Sequence, residues 1–285
     1  MKTKKRDFFS KNIDIIKKEL LEKKFHTQND LHDLLRTFRE NSLISKGISS
    51  TQFFNLLQTR LNLITHSASS ENMNKIRYTL YQDVNIYDFV QTFGKDGFFS
   101  MTTALNLQGL SDSKSQLVFF SKELSVKNAP QTKSLTQEAI DQAYQKEYRL
   151  SRNIVTYKEK HIVYLTPKHT DRIEVIQHGD YQVSSIHRVL VEMILNIQYF
   201  NGFQTLIEIF EPLQERLDVQ RIFDVVSAFN LIYPYFQLLG FMLERLGFSR
   251  ESLKIFKDEV GELKFYTEKN KNTYQFDAYW RVYFN

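Results

Sequence analysis

Apolar residues near the start of the chain recur at helical spacing. Ile13, Ile16, Leu20 and Leu21 predict a helix over residues 8–24. A second helix opens at Thr27, where "TQND" has the Ser/Thr-x-x-acid form of a capping box, and turns Leu31, Leu34, Leu35 and Phe38 inward. "ENSLISKGI" reads as a turn hinged at Gly47. A third helix begins at "SSTQ", with Ser49 and Gln52 placed to cap each other and Phe53, Leu56 and Leu57 facing a core. Two extended runs follow, 61–66 and 75–83, around the polar "SASSENMN". They predict a hairpin with a long, flexible tip. Three helices and a hairpin predict a winged helix-turn-helix over 1–83. Its third helix would enter the DNA major groove, with the hairpin on the phosphates.

Beyond residue 83 helix and strand signals mix. "IYDFVQTF" predicts a short helix ended by "GKDG", and "FFSMTTALNLQGL" a strand end and a helix closed by Gly109. "QLVFFS" predicts a strand, 122–135 a loop, and 136–151 a helix. Four short strands follow, two in "NIVTYKEKHIVYLT" and two around His178–Gly179–Asp180. From Ser185 to about residue 260 the pattern is helical, with breaks at Asn201–Gly202, Pro212, 230–234 and Gly247. "YQFDAYWRVYFN" alternates like a closing strand. The expectation is a helix-rich α+β chain of two domains, 1–83 and 84–285, without an internal repeat.

Charge sharpens this picture. Residues 1–81 carry 15 Lys and Arg against 8 Asp and Glu, a net +7, while the remaining 204 residues carry 23 against 25, a net −2. A basic excess confined to one end is the electrostatic footprint of nucleic-acid binding. The candidate DNA contacts are Thr27 and Gln28 on the second helix and Lys75 and Arg77 on the hairpin. The third helix contributes Ser50, Thr51, Gln52, Asn55, Gln58, Thr59 and Arg60. The 24 Phe and 15 Tyr fit a genome poor in G and C better than stacking platforms, because they sit inside apolar runs. With no cysteine, disulfides and thiolate metal sites are excluded. No apolar run suits a membrane span and the basic start lacks a signal-peptide core, so a cytoplasmic protein is expected.

A search for chemistry finds no catalytic constellation. No two of the seven histidines stand at the i, i+4 spacing by which one helix face holds zinc. Neither a Gly-x-Ser-x-Gly elbow nor a Walker-type phosphate loop occurs, and no Asp-x-Asp follows a Gly-Ser. No cofactor, no metal and no enzyme activity are expected. The one suggestive cluster is His187–Arg188–Glu192, at the head of an apolar helix. Arg188 and Glu192, four apart, face each other and form a structural brace; His187 points elsewhere.

Several segments together resemble one family. They are "DGFFSMTTALNLQGLSD" (96–112), "LTQEAIDQAYQKEYRLS" (135–151), "SIHRVLVEMILNIQYFNGFQTLIEIF" (185–210), "YPYFQLLGFMLERLGF" (233–248) and "AYWRVYFN" (278–285). In order and spacing they resemble the AbiEi antitoxins of type IV toxin–antitoxin systems. The family's helix head, Glu-Arg-Thr-Leu-x-Asp, is matched here at Arg188 and Leu190, keeps its acid as Glu192, and departs at His187 and Val189. The resemblance implies an N-terminal winged helix that represses its own operon by binding inverted repeats in double-stranded DNA. It also implies a C-terminal domain that opposes a nucleotidyltransferase-like toxin in abortive infection of phage-infected bacteria. The alternative is a stand-alone winged-helix regulator whose C-terminal domain senses a ligand or a partner.

Overall fold

The computed structural model describes residues 7–125, 135–269 and 273–285 and is α+β. It divides into two compact units, residues 1–95 with 155–159, and residues 96–154 with 160–285.

The first unit opens with α1 (Phe8–Lys11) and α2 (Ile13–Leu21) in place of one helix. Asn12 makes the break, its side-chain amide donating to the carbonyls of Phe8 and Leu43, both at 3.0 Å. The next helices, α3 (Gln28–Glu40) and α4 (Ser50–Leu61), each start at a complete capping box, Thr27 with Asp30 and Ser49 with Gln52. Between α2 and α3, His26 pairs with Tyr78 as a single antiparallel bridge. The hairpin strands are β1 (Ile64–Ser69) and β2 (Asn74–Thr79). The tip is therefore shorter than expected, and the second strand stops at Thr79, not at 83. Ile16, Leu20, Leu31, Leu35, Phe38, Phe53 and Leu57 form the shared core. Each such side chain contributes about 1.5–3 kcal/mol by leaving water.

This unit runs on past residue 83, to Lys95. The added helix α5 (Ile86–Val90) buries Phe89, whose ring lies 4.5 Å from that of Tyr157. Tyr157 arrives on a strand that returns from far along the chain and pairs with β1 through Thr156 opposite Ser69. Its hydroxyl meets Nδ1 of buried His66.

The second unit starts with β3 (Phe98–Phe99), α6 (Met101–Leu107) and β4 (Leu117–Ser121). Then come α7 (Gln137–Tyr144) and the strand already met in the first unit, β5 (Ile154–Tyr157). After them stand β6 (Lys160–Leu165), β7 (Val175–His178) and β8 (Tyr181–Ser184). Within this unit the strands lie in the order β6-β4-β3-β8-β7. The β4–β6 and β3–β8 pairs are parallel, and the β3–β4 pair and the β7–β8 hairpin antiparallel. Most of the loop expected over 122–135 lies outside the described residues. The helix expected over 136–151 ends at Tyr144.

The helical stretch resolves into α8 (Ile186–Leu195), α9 (Phe203–Phe210), α10 (Val219–Phe229), α11 (Tyr235–Arg245) and α12 (Lys254–Asp258). Helix α8 is buried from Ile186 to Ile194, packed by α6, α9 and α10. The closing alternation is two strands. A small sheet orders β10 (Gln275–Asp277), β11 (Val282–Phe284) and β9 (Phe265–Tyr266), with β11 between the others. Trp280, fully buried, lies against Gly240 of α11 so closely that a Cβ there would stand 2.1 Å from the indole. Its indole N–H donates to Glu244.

Candidate functional site

Helix α4 presents the polar face that its sequence implies. Thr51, Gln52, Asn55, Gln58, Thr59 and Arg60 are exposed, while Phe53 and Leu57 hold the opposite side in the core. Thr51, Asn55 and Gln58 share one stripe by helical spacing. Gln52, Asn55 and Thr59 also line a groove of about 640 Å³ together with Asp7 and Phe8. Not all the candidates have free side chains. The Gln52 carbonyl accepts from the Ser49 N–H at 2.9 Å, which leaves its amide N–H groups and one carbonyl lone pair for a ligand. Thr59 donates to the Asn55 carbonyl at 2.7 Å, and Ser50 lies 3.3 Å from His32. Thr27 is half-buried and bonded to Asp30; its neighbour Gln28 is exposed. Hydrogen bonds from Lys23 and Thr27 outweigh burial and hold the Asp30 carboxyl down at about 2.

The two hairpin cations are engaged inside the first unit. Lys75 donates to the Phe93 carbonyl at 2.9 Å. Arg77 donates to the carbonyls of Thr92 at 2.6 Å and Ile76 at 2.8 Å, and burial pulls its pKa below the usual arginine value. These contacts tie the hairpin to the turn after α5. Exposed cations of the first unit with no ion pair among the described residues include Lys11, Lys17, Lys18, Lys46 and Arg60.

In the second unit, Arg188 is fully buried and donates from four of its five N–H groups. Nε reaches Glu192 at 2.7 Å and Nη2 reaches Glu123 at 2.9 Å. Nη1 serves both Thr170 Oγ1 at 3.0 Å and the Ile173 carbonyl at 2.8 Å. The guanidinium also stacks 4.7 Å from the Phe98 ring centre. The sequence placed Arg188 against Glu192 but gave no sign of Glu123 or Thr170. Burial works to raise the Glu123 pKa, yet hydrogen bonds from Thr170 and the charge of Arg188 outweigh it and leave it lowered. Glu192 goes the other way, because its burial exceeds the help from Arg188, Ser184 and the Met101 N–H. His187 faces away from Glu192, with Nδ1 3.4 Å from Glu174. Glu192 also borders a cavity of about 320 Å³ that Met101, Ser121, Lys168 and Asn196 help to line. Among the described residues no group of three His, Cys, Asp or Glu could hold a metal ion, and no helix is long and apolar enough to cross a membrane.

No family model matches the chain. The GTPase-activating protein GYP8 of Saccharomyces cerevisiae is 27% identical over a stretch that covers 40% of this chain. The chain spans 29% of that protein's length. The crystal structure of the RV2827C protein from Mycobacterium tuberculosis is similar in fold, with a TM-score of 0.57 at 9% identity, over 97% of this chain and 91% of that one. This chain shares its architecture with that mycobacterial protein.

Proposed function

We propose that this protein is a DNA-binding antitoxin. Its first unit acts as a winged helix-turn-helix that represses the protein's own operon, and its second unit opposes a nucleotidyltransferase-like toxin. The observation that carries the DNA-binding part is α4. It is an amphipathic helix with a capped start, and it shows solvent a stripe of Thr, Asn and Gln ending in Arg60, just before a β-hairpin. Side chains of this kind hydrogen-bond base edges and phosphates. The basic balance of residues 1–81 supports it. In this reading Thr51, Asn55 and Gln58 meet bases and Lys46 and Arg60 meet phosphates, while Lys75 and Arg77 hold the hairpin in shape. The antitoxin part rests on the series of segments from Asp96 onward. The partial match to the yeast GTPase-activating protein spans too little of that protein to bring its activity here.

The test joins a binding assay to a growth assay. The full-length protein should retard DNA from its own promoter, and Asn55→Ala or Gln58→Ala should weaken this while thermal unfolding stays unchanged. The wild-type protein should also restore growth when the neighbouring gene is induced in a bacterial host. Binding of promoter DNA without rescue would favour the stand-alone regulator. Failure to bind at low salt would sink the repressor role.

A further inference from the structure

The second unit holds a larger cavity, of about 560 Å³. That is within the range of small-ligand and cofactor sites, ~300–1,000 Å³. Its wall includes Tyr144 of α7, Tyr148 just beyond it, and Tyr233 and Tyr235 at the head of α11. Tyr144 and Tyr235 both stand edge-on to Phe265, at 5.2 Å, which fixes the wall from behind. The Tyr148 hydroxyl accepts from the Lys269 N–H at 3.1 Å. The hydroxyls of Tyr144, Tyr233 and Tyr235 have no hydrogen-bond partner among the described residues. Burial, and after it the neighbouring phenols, raises Tyr144 well above the usual range and pushes Tyr235 up to about 12. Both stay protonated at neutral pH and remain O–H donors at the cavity wall.

Cations border the same space. Lys146, Arg149 and Lys269 line it against a single carboxylate, Glu147. The Lys269 ammonium lies 5.2 Å from the Tyr148 ring centre and 6.0 Å from that of Tyr144. Burial, then the charge of Arg149, pulls the Lys269 pKa below the ordinary lysine value, with Glu147 opposing. Lys146 and Arg149 are exposed and Lys269 is partly buried, so an anion that enters meets three cations gathered on one side of the space. Apolar Ile194, Leu195 and Leu238 complete the lining and give a ring system something to bury against.

We propose that this cavity binds a mononucleotide, with the base against the tyrosine wall and the phosphates on Lys146, Arg149 and Lys269. Aromatic faces accept any base by stacking, and guanidinium and ammonium groups with phenol donors suit phosphate oxygens. A bare phosphate would leave the aromatic and apolar part of the wall unused.

The test is calorimetric titration of the full-length protein with ATP, GTP, CTP and UTP, and with tripolyphosphate at the same ionic strength. At least one nucleotide should bind at a single site, about tenfold or more tighter than tripolyphosphate. Lys269→Gln and Arg149→Gln should each weaken that binding about tenfold, as loss of a charge-assisted contact does. Lys146→Gln, at an exposed position, serves if either variant melts early. Three results would overturn the proposal: no nucleotide binding below millimolar concentration, equal binding of tripolyphosphate and every nucleotide, or affinity unchanged in folded variants.

Discussion

Arg188 holds two carboxylates that lie 69 positions apart in the chain, Glu123 and Glu192. Arg188→Met would leave both buried without their cation, and breaking a buried pair in this way costs about 3–5 kcal/mol. Urea unfolding of the variant should show that loss. Arg188→Lys should recover little, since one ammonium cannot imitate the guanidinium fork. His187 gives a pH dependence of known sign. Burial, then the charge of Arg221, lowers its pKa in the fold. The unfolded chain takes up its proton near the ordinary histidine value of about 6.5, so its contribution is complete above that value. It is lost as pH falls from there through the lower folded value. His66 acts in the same direction, its pKa lowered by burial and then by the charge of Lys158, so His187→Asn should remove part of the fall in melting temperature between about pH 7 and 5. Spacing alone revealed Arg188 with Glu192, because both lie on one helix. Glu123 stayed hidden because it lies 65 residues from Arg188, and pairing at that range leaves no local pattern.

Elements whose ends depend on near neighbours could be read in advance. The caps at Thr27 and Ser49 bond only across three residues, so sequence reveals them. The hairpin was harder. In β1 the inward residues are His66 and Ala68, alternating with exposed Thr65, Ser67 and Ser69. The period of two was present, but histidine and alanine carry too weak an apolar signal to announce a buried face. Helix α11 supplies the sharpest test at this scale. Gly240→Ala would drive a methyl into the Trp280 ring. Overpacking of this kind costs about 1–3 kcal/mol, measurable as a lowered melting temperature. Pairing it with Trp280→Leu should return part of the loss, which a double-mutant cycle reads directly.

At the scale of the whole molecule, the charge split of the sequence falls on a first unit that continues past residue 83 through a short helix to Lys95. The return strand was not legible, because nothing in "NIVTYKEK" says that it belongs with Ser69, His66 and Phe89, about seventy to ninety positions earlier. If the first unit binds DNA as proposed, affinity should fall steeply with salt, by the release of counterions from phosphates. Arg60→Ala should lower the slope of log K against log salt by about 1. Arg77→Ala should instead lower the melting temperature and leave the slope nearly as it was. Slopes measured on the same promoter fragment separate the two.

The first unit is completed by Val155–Glu159, so it is not contiguous along the chain. A ribosome finishes residue 95 and must still make 96–159 before Tyr157 can reach His66 and Phe89. At ~5–20 residues per second that is a delay of roughly 3 to 13 seconds. During it Ser69 lacks its pairing with Thr156, and His66 and Phe89 lack the contact of Tyr157. Folding of the first unit therefore waits on a segment made in the midst of the second, and it can be complete at residue 159, while the second unit still lacks 160–285.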